Sequence, residues 1–309
     1  MQEGRPSWVL LATGGTIAGA AEDPQDHLGY RAGALGAGEL LRRIGVGEGV
    51  ATEEVAAIDS KDMEWEVWRR LAARCAHWLS QPAVRGVVVT HGTDTLEETA
   101  WFLQRVLAPA KPLVLASAMR PATALSPDGP QNLADAFTVA QADGARGVLA
   151  VSDGAVFAAG EVRKVHPYRL QAFSAGDAGA LARVEDARLR ILREWPQPRP
   201  SEGLLARLQE AAQAPRVEIV HSHAAADGRV VDLLAADGVR GLVVAGTGNG
   251  TLHFALESAL QRARERGVRV VRSTRCALGS VLPHAGEPFE SRPFTPAVSR
   301  VDLMLDLLA

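Results

Sequence analysis

Two turns in the first third of the chain carry side chains suited to nucleophilic chemistry. The first, "ATGGTIAG", has hydroxyls at Thr13 and Thr16, and the second, "THGTDTLEETA", places Thr93 beside Asp94. A hydroxyl is a weak nucleophile until a base or a cation activates it. The two turns therefore indicate an enzyme with a hydroxyl nucleophile, provided that another segment supplies a proton acceptor.

Both turns also have simpler interpretations. The glycines of the first turn suggest a phosphate-binding loop, but neither GxxxxGKS/T nor GxGxxG is present and no lysine follows. The same turn could be a tight strand exit in which threonine makes local hydrogen bonds. In the second turn, Asp94 or Thr95 could cap the following helix. Thr93 fits that explanation less well because it precedes the cap.

A candidate proton acceptor lies in "AAGEVRKVHPYRLQAF", which contains Lys164 and His166. A lysine that is partly desolvated near a carboxylate can accept a proton. A single lysine or histidine on a loop is more often solvated surface, so this alternative stays open. The pair His221 and His223 has no third ligand nearby in the sequence, and neither a metal nor a cofactor is predicted.

Apolar runs alternate with helix-like segments along the chain. Several runs are continuously apolar, as strands covered on both faces are. The predicted strands are Trp8–Ala12, Gly86–Thr90, Pro112–Ala116, Gly147–Val151, Val217–His221, Gly241–Ala245 and Val268–Arg272. The predicted helices are Met63–Leu79, Leu96–Val106, Asn132–Ala142, Thr251–Arg266 and the C-terminal segment "VSRVDLMLDLLA". This alternation predicts an α/β fold with a mainly parallel sheet, in which ligands bind at the carboxyl ends of strands.

A proline-rich segment, "EWPQPRPSEG", divides the sequence into two parts. We predict a larger N-terminal catalytic α/β domain over residues 1–193, with helices flanking its mainly parallel sheet. An interdomain linker over 194–214 and a smaller C-terminal α/β domain over 215–309 follow.

Composition excludes several classes of function. The 309 residues carry a formal net charge of −3, which leaves no electrostatic footprint for nucleic acid. No apolar stretch is long enough to span a bilayer, so no membrane partner is predicted. The N-terminus lacks the pattern of a secretory leader, and two distant cysteines do not suggest a disulfide framework. We therefore expect a cytoplasmic protein.

The ordered set of motifs resembles the bacterial-type L-asparaginase family. Between the two threonine turns lies "DSKDM", and after them come "SAMRP", "DGPQNL", "RGVL", "VRK" and "GTGNG". These motifs stand in that family's order and extend over essentially the whole chain. The resemblance implies two α/β domains, either a homotetramer built from intimate homodimers or the intimate homodimer alone, and no metal or cofactor. It further implies hydrolysis of L-asparagine to L-aspartate and ammonia through a threonine nucleophile and an acyl-enzyme, with direct attack of water as the alternative.

The resemblance also assigns roles to individual residues. The family's catalytic set matches Thr16 as the nucleophile, Tyr30 on a mobile flap, and Thr93, Asp94 and Lys164 as a second hydrogen-bonded group. Its substrate-binding positions match Ser60 for the α-carboxylate, Asp94 together with Thr93, the carbonyl of Ala118 for the leaving nitrogen, and, as further candidates, Asn249 and Glu287. Asn249 could instead stabilise the turn in which it lies, without contacting the substrate.

Two positions depart from the family's pattern. Lys61 follows Ser60 where a glutamine, glutamate or small polar residue is usual, and Thr251 stands where many members have a second asparagine. These departures leave the substrate more open than the reaction class. A glutaminase or a hydrolase of another small amide is the first alternative, and a non-catalytic amino-acid-binding protein is the second.

Overall fold

The computed structural model describes residues 6–197 and 199–308, which divide into two compact units at Leu205/Ala206. The predicted α/β class, with a larger first sheet and a smaller second one, is confirmed. No helix in these ranges is both long enough and apolar enough to cross a bilayer.

The first unit is built on an eight-stranded sheet in the order β10-β9-β6-β5-β4-β3-β1-β2. Its strands are β1 Trp8–Gly14, β2 Val50–Ile58, β3 Gly86–Thr90, β4 Pro112–Ala116, β5 Gly147–Ser152, β6 Ala155–Ala158, β9 Ala182–Glu185 and β10 Arg188–Ile191. A separate antiparallel pair consists of β7 Arg163–Lys164 and β8 Phe173–Ser174. The strands from β5 to β2 pair in parallel, and β6, β9 and β10 extend the sheet in antiparallel fashion.

Helices cover both faces of the parallel part. They are α1 Ala37–Arg43, α2 Trp65–Ser80, α3 Leu96–Leu107 and α4 Gly129–Ala140. One core cluster joins α1 and α4 to Leu10, Val88 and Val114, which lie on neighbouring strands. Successive strand residues point to opposite faces, so Val9 and Val87 face the other layer. Burial on both faces is why these strands are continuous apolar runs.

Local sequence accounts for where these helices begin and end. In α3, Glu97 and Glu98 lie in the first turn, where a carboxylate stabilises the helix dipole. The same helix is terminated by the residue that follows it, Ala108, which adopts a left-handed φ of 37°. In α4, a proline at the start of the helix costs no hydrogen bond because the first N–H groups have no helical partner.

The second unit has a four-stranded parallel sheet in the order β11-β12-β13-β14. Its strands are β11 Val217–His221, β12 Gly241–Gly246, β13 Arg269–Thr274 and β14 Glu290–Ser291. Its helices are α6 Arg229–Ala236, α7 Phe254–Glu265 and α8 Pro296–Asp306, and α5 Leu204–Glu210 spans the division point. The start of α8 is capped by Thr295, whose hydroxyl accepts the Val298 N–H at 3.2 Å.

The sequence missed one central feature of the first unit. The strand β2 has exposed and half-buried positions and contains Glu53 and Glu54, so no apolar run marks it. The side chain of Glu53 accepts hydrogen bonds from Arg74 and Trp78 on α2. Because β2 lies beyond β1, β1 lies inside the sheet, with β3 on its other side.

Candidate active site

The order of the parallel strands fixes where a ligand site is expected. Read from β2, the parallel strands lie in the order β2-β1-β3-β4-β5. The chain passes from β1 to β2 on one side of β1 and then to β3 on its other side, so the direction of the connections reverses at β1. In such sheets the ligand crevice lies at the carboxyl ends of β1 and β3. The turn with Thr16 follows β1 and the turn with Thr93 follows β3, so the fold brings the two hydroxyl-rich turns to one place.

The turn after β1 places Thr16 at the start of a short 3₁₀-helix, Thr16–Ala18. Gly14 and Gly15 precede it with φ of 103° and 78°, a backbone conformation that residues other than glycine rarely adopt. The Thr16 side chain is almost buried, and its Oγ1 lies 2.5 Å from the hydroxyl of Tyr30. The hydroxyl of Thr13 donates instead to the carbonyl of Thr90 at 2.7 Å, which ties β1 to β3.

Tyr30 lies on a flap, which we define as residues Ala20–Arg31. The base of the flap is closed by two backbone hydrogen bonds between Ala20 and Arg31, at 3.0 and 2.9 Å. Partial burial raises the pKa of the Tyr30 phenol, and the Thr16 hydrogen bond opposes part of that rise. The phenol therefore stays protonated around neutral pH and can both donate and accept a proton beside Thr16.

The turn after β3 holds the second hydrogen-bonded group. The ammonium of Lys164 donates to Thr93 Oγ1 at 2.8 Å and to Asp94 Oδ1 at 2.6 Å. Lys164 is itself fixed by pairing between β7 and β8 and by its N–H, which donates to Glu97 at 2.9 Å. A hydroxyl that accepts from a cation gives up its own proton more readily, so Thr93 is prepared as a strong donor.

Ser60 begins a second 3₁₀-helix, Ser60–Asp62, beside the turn after β3. Its Oγ accepts the backbone N–H of Asp94 at 3.1 Å, and its carbonyl accepts the Thr95 hydroxyl at 2.7 Å. The Ser60 hydroxyl proton thus remains available to an acceptor such as a carboxylate. Asp94 offers its second carboxylate oxygen to a donor such as an ammonium group.

The two turns meet at their backbones. A Cβ placed on Gly15 would lie 2.4 Å from the nitrogen of Gly92, and one on Gly92 would lie 2.4 Å from Ser60 Oγ. Neither distance is compatible with a side chain. The missing side chains therefore set how closely Thr16, Thr93 and Ser60 approach one another.

A third turn, after β4, presents the backbone of Ala118. The next two N–H groups, of Met119 and Arg120, donate to the carboxylate of Asp128, each at 2.9 Å. Asn132 adds a hydrogen bond from its amide to the carbonyl of Ser117 at 2.8 Å. The peptide around Ala118 is thereby held in place from both sides.

The family model "Asparaginase, N-terminal" matches residues 8–197, and "Glutaminase/Asparaginase C-terminal domain" matches residues 216–307. The chain belongs to the asparaginase family.

Individual relatives agree with this membership of the asparaginase family. "L-asparaginase 2" of Bacillus subtilis is 34% identical, covering 98% of this chain and 82% of the relative. "Probable L-asparaginase periplasmic" of Haemophilus influenzae is 35% identical, covering 89% of this chain and 79% of the relative. The crystal structure of "Probable Cytoplasmic L-asparaginase from Campylobacter jejuni" superposes with a TM-score of 0.88 at 33% identity, covering 98% of this chain and 95% of that one.

Two of the candidate substrate-binding residues, Asn249 and Glu287, belong to the second unit. The amide of Asn249 donates to the carbonyl of Leu282 at 3.0 Å and accepts its N–H at 2.7 Å. The carboxylate of Glu287 lies 3.0 Å from the buried guanidinium of Arg272. Both side chains therefore have partners within their own unit.

Lys61, the departure beside Ser60, forms an ion pair with Asp62 at the surface. The hydrogen bond with Asp62 is the main cause that raises the pKa of Lys61, and the charges of Asp62, Asp59 and Asp94 add to the rise. The charge of Lys61 is in turn near enough to favour the ionised form of Tyr30. The ammonium is thus a charge at the rim of the site, outside the hydrogen-bonded groups around Thr16 and Thr93.

The sequence did not reveal three features of the site. The close approach of Gly15 and Gly92 and the support of Ala118 by Asp128 depend on contacts between separate turns. The third feature is His91, which is fully buried and donates from Nδ1 to the carbonyl of Gly92 at 2.7 Å. Each of these residues lies in one of the family's motifs. The motifs gave the positions of the residues in the sequence, but they did not show which residues each of them contacts.

Among residues 6–197 and 199–308, no group of three histidine, cysteine, aspartate or glutamate side chains converges as a metal-binding set.

Proposed function

We propose that this chain hydrolyses the side-chain amide of L-asparagine to L-aspartate and ammonia, with Thr16 as the nucleophile. The observation that carries the proposal is that two turns in backbone contact each present a hydroxyl group, and each hydroxyl has a different partner. Thr16 is paired with the Tyr30 phenol, and Thr93 is paired with the Lys164–Asp94 ion pair. The names of the family models and relatives support asparagine as the substrate.

The ends of the site suit a zwitterionic amino acid. The free proton of the Ser60 hydroxyl would donate to the α-carboxylate, and the free oxygen of Asp94 would accept the α-ammonium. With these ends fixed, the side-chain amide would extend toward Thr16. Positioning of this kind lowers the entropic part of the reaction barrier.

In the first step, Thr16 Oγ1 attacks the amide carbon while its proton passes through the Tyr30 hydroxyl to the departing nitrogen. The C–N bond breaks, ammonia leaves, and an ester on Thr16 remains. The Thr93 hydroxyl, which accepts from Lys164, and the N–H groups of the two turns stabilise the negative charge on the amide oxygen. The carbonyl of Ala118 would receive the leaving nitrogen.

In the second step, water attacks the ester carbon and its proton returns through Tyr30 to Thr16 Oγ1. L-aspartate is released and the hydroxyl is restored. A raised pKa suits Tyr30 for this relay because a neutral phenol can hand over one proton as it takes another. Direct attack of water on the amide, with no ester, is the alternative mechanism.

The proposal is tested by ammonia release from asparagine. Thr16→Ala and Thr93→Val should each lower kcat by at least about a hundredfold, since each removes a group that acts on the reacting atoms. Thr52→Ala, on an exposed position of β2, is the matched control and should keep wild-type turnover. Mass spectrometry of rapidly quenched wild-type enzyme should show the ester, and unchanged ammonia release by Thr16→Ala would disprove the assignment.

Glutamine is the second candidate substrate, because the C-terminal family model is named for both activities. A panel of asparagine, glutamine and shorter amides, compared by kcat/KM, separates the two. A kcat/KM for glutamine above that for asparagine would assign the chain as a glutaminase.

We include two further properties in the proposal. A homotetramer built from intimate dimers is supported by the family resemblance, and light scattering on the purified protein tests it. A cytoplasmic location is supported by two free cysteines and by the name of the Campylobacter jejuni relative. The periplasmic name of the Haemophilus influenzae relative opposes it, so fractionation of native cells is the deciding test.

A further inference from the structure

The tip of the flap has one anchoring contact outside its own segment. Nδ1 of His27 lies 3.1 Å from the hydroxyl of Tyr168, and the two rings are stacked with their centres 6.4 Å apart. Within the described part of the chain, no other side-chain hydrogen bond joins residues 22–29 to another segment. Nearer its base, the flap is held by the bonds between Ala20 and Arg31, by the Ala21 N–H, which donates to Thr123 at 2.9 Å, and by the hydrogen bond of Tyr30 with Thr16.

The flap tip has a formed internal structure. The carboxylate of Asp26 accepts the N–H groups of Leu28 and Gly29, at 2.9 and 2.7 Å. These bonds fold the tip into a compact turn that presents His27 on one side. Leu28 remains 82% exposed, so apolar packing contributes little to holding the tip in place.

The partner of the flap tip belongs to the loop that follows Lys164. Nδ1 of His166 accepts the N–H groups of Tyr168 and Arg169, at 3.0 and 2.9 Å, which fixes the turn carrying the tyrosine ring. The start of this loop is held by the Val165 N–H, which donates to Ala172 at 2.7 Å. Tyr168 thus lies on a fixed support, although its ring is 56% exposed.

We propose that the His27–Tyr168 contact is a latch that holds the flap closed and so positions Tyr30 against Thr16. The flap carries one catalytic group and the loop begins at another, Lys164. The latch therefore joins the segment of the Thr16–Tyr30 pair to the segment of the Thr93–Lys164 pair. His27 and Tyr168 are positioning residues, and the part of this inference that concerns catalysis rests on the proposed function.

Trypsin cleavage after Arg31 measures flap opening without any substrate. Arg31 is exposed, but its backbone is bonded to Ala20, so cleavage requires the base of the flap to open. His27→Ala and Tyr168→Ala should each speed this cleavage by roughly three- to tenfold, the equilibrium effect of one hydrogen bond. Cleavage after Arg229, in the second unit, should stay at the wild-type rate and so exclude general unfolding.

A double-mutant cycle isolates the contact itself. The double variant His27→Ala, Tyr168→Ala should be cleaved no faster than either single variant, because each change already breaks the same contact. Tyr168→Phe, which keeps the ring, should fall between wild type and Tyr168→Ala. Rates that multiply in the double variant, or single variants with wild-type cleavage, would overturn the latch.

Kinetics test the consequence for catalysis. The latch variants should lower kcat/KM for asparagine by roughly three- to tenfold and change kcat less than twofold, because bound substrate helps to close the flap. Arg169→Ala, next to Tyr168 on the same loop, is the control and should leave both constants unchanged. A fall in kcat equal to that in kcat/KM would overturn the positioning role. An inactive wild type would disprove the proposed function and leave the cleavage experiment to decide the latch.

Discussion

The turn after β3 and the flap after β1 each bring one hydroxyl to the site, but they are held differently. The turn is buried at His91 and Thr93, and contacts from Ser60 and Lys164 fix it on two sides. The flap is mostly exposed, and its tip depends on the single contact to Tyr168. One half of the site is thus preorganised by the core, whereas the tip of the other half has few contacts that would oppose its opening.

The largest effect is expected from Lys164→Met, which removes the cation from the fixed half. Thr93 then loses its donor and Asp94 loses its counter-ion, so kcat should fall by about 10²–10⁴. Trypsin cleavage after Arg31 should stay at the wild-type rate, because the flap is anchored elsewhere.

Lys61→Met is the matched control, since it removes the same charge from the rim of the site. The ion pair of Lys61 with Asp62 is exposed, so KM should change less than about threefold. Equal losses of kcat in Lys164→Met and Lys61→Met would show that net charge, rather than the contact with Thr93, explains the effect.

Gly15→Ala tests the backbone contact between the turn after β1, which carries Thr16, and the turn after β3. The new Cβ would meet the backbone of Gly92 at 2.4 Å, and φ of 78° adds strain. We expect a loss of about 3 kcal/mol in the free energy of unfolding, together with a large loss of kcat. Urea unfolding and ammonia release provide the measurements.

Gly38→Ala on α1 is the control, because its new Cβ would have no atom within 4 Å apart from its chain neighbours and the backbone of its own helix. It should be neutral or stabilise the protein by about 0.5–1 kcal/mol. Similar stability losses in both variants would contradict the proposed contact between the turns.

A smaller effect on stability is expected from a change of pH, which acts through His91 in the turn after β3. Burial lowers the pKa of His91 from 6.5 to about 4 because the charged imidazolium is poorly solvated there. Between these values the unfolded chain binds a proton that the folded protein does not. The free energy of unfolding should therefore fall by about 2 kcal/mol from pH 7 to pH 5 through this group.

His91→Asn should remove that contribution, since an amide can replace the Nδ1 donor without titrating. Urea unfolding of wild type and variant at both pH values measures the difference. His284→Asn, at an exposed position, is the control and should keep the wild-type pH dependence. An unchanged pH dependence in His91→Asn would show that another group is responsible.

The fold was predictable where burial left a simple pattern. Strands such as β3 are buried at every position, and their sequences are continuously apolar. The strand β2 is half-exposed and carries Glu53, whose partners Arg74 and Trp78 lie on α2, so its sequence has no comparable signal. Without β2, the sequence could not show that β1 lies inside the sheet.

The site was predictable to the level of motifs. Thr16, Thr93 and Lys164 were assigned by resemblance, and the structure places their side chains beside Tyr30 and Asp94. Contacts between surface residues that are distant in sequence had no signal in the sequence. His27 and Tyr168 lie 141 positions apart, and neither belongs to a periodic pattern or a recognised motif.

The glycine contact between the two turns has a consequence for protein engineering. Residues 15 and 92 leave no side chain to vary, so a mutant library at these positions should return mainly the parental sequence. Variation in amide preference is then expected at side chains outside this contact, such as Lys61 at the rim. Selection for a new substrate can thus reshape the entrance while the pair of threonines stays in the same place.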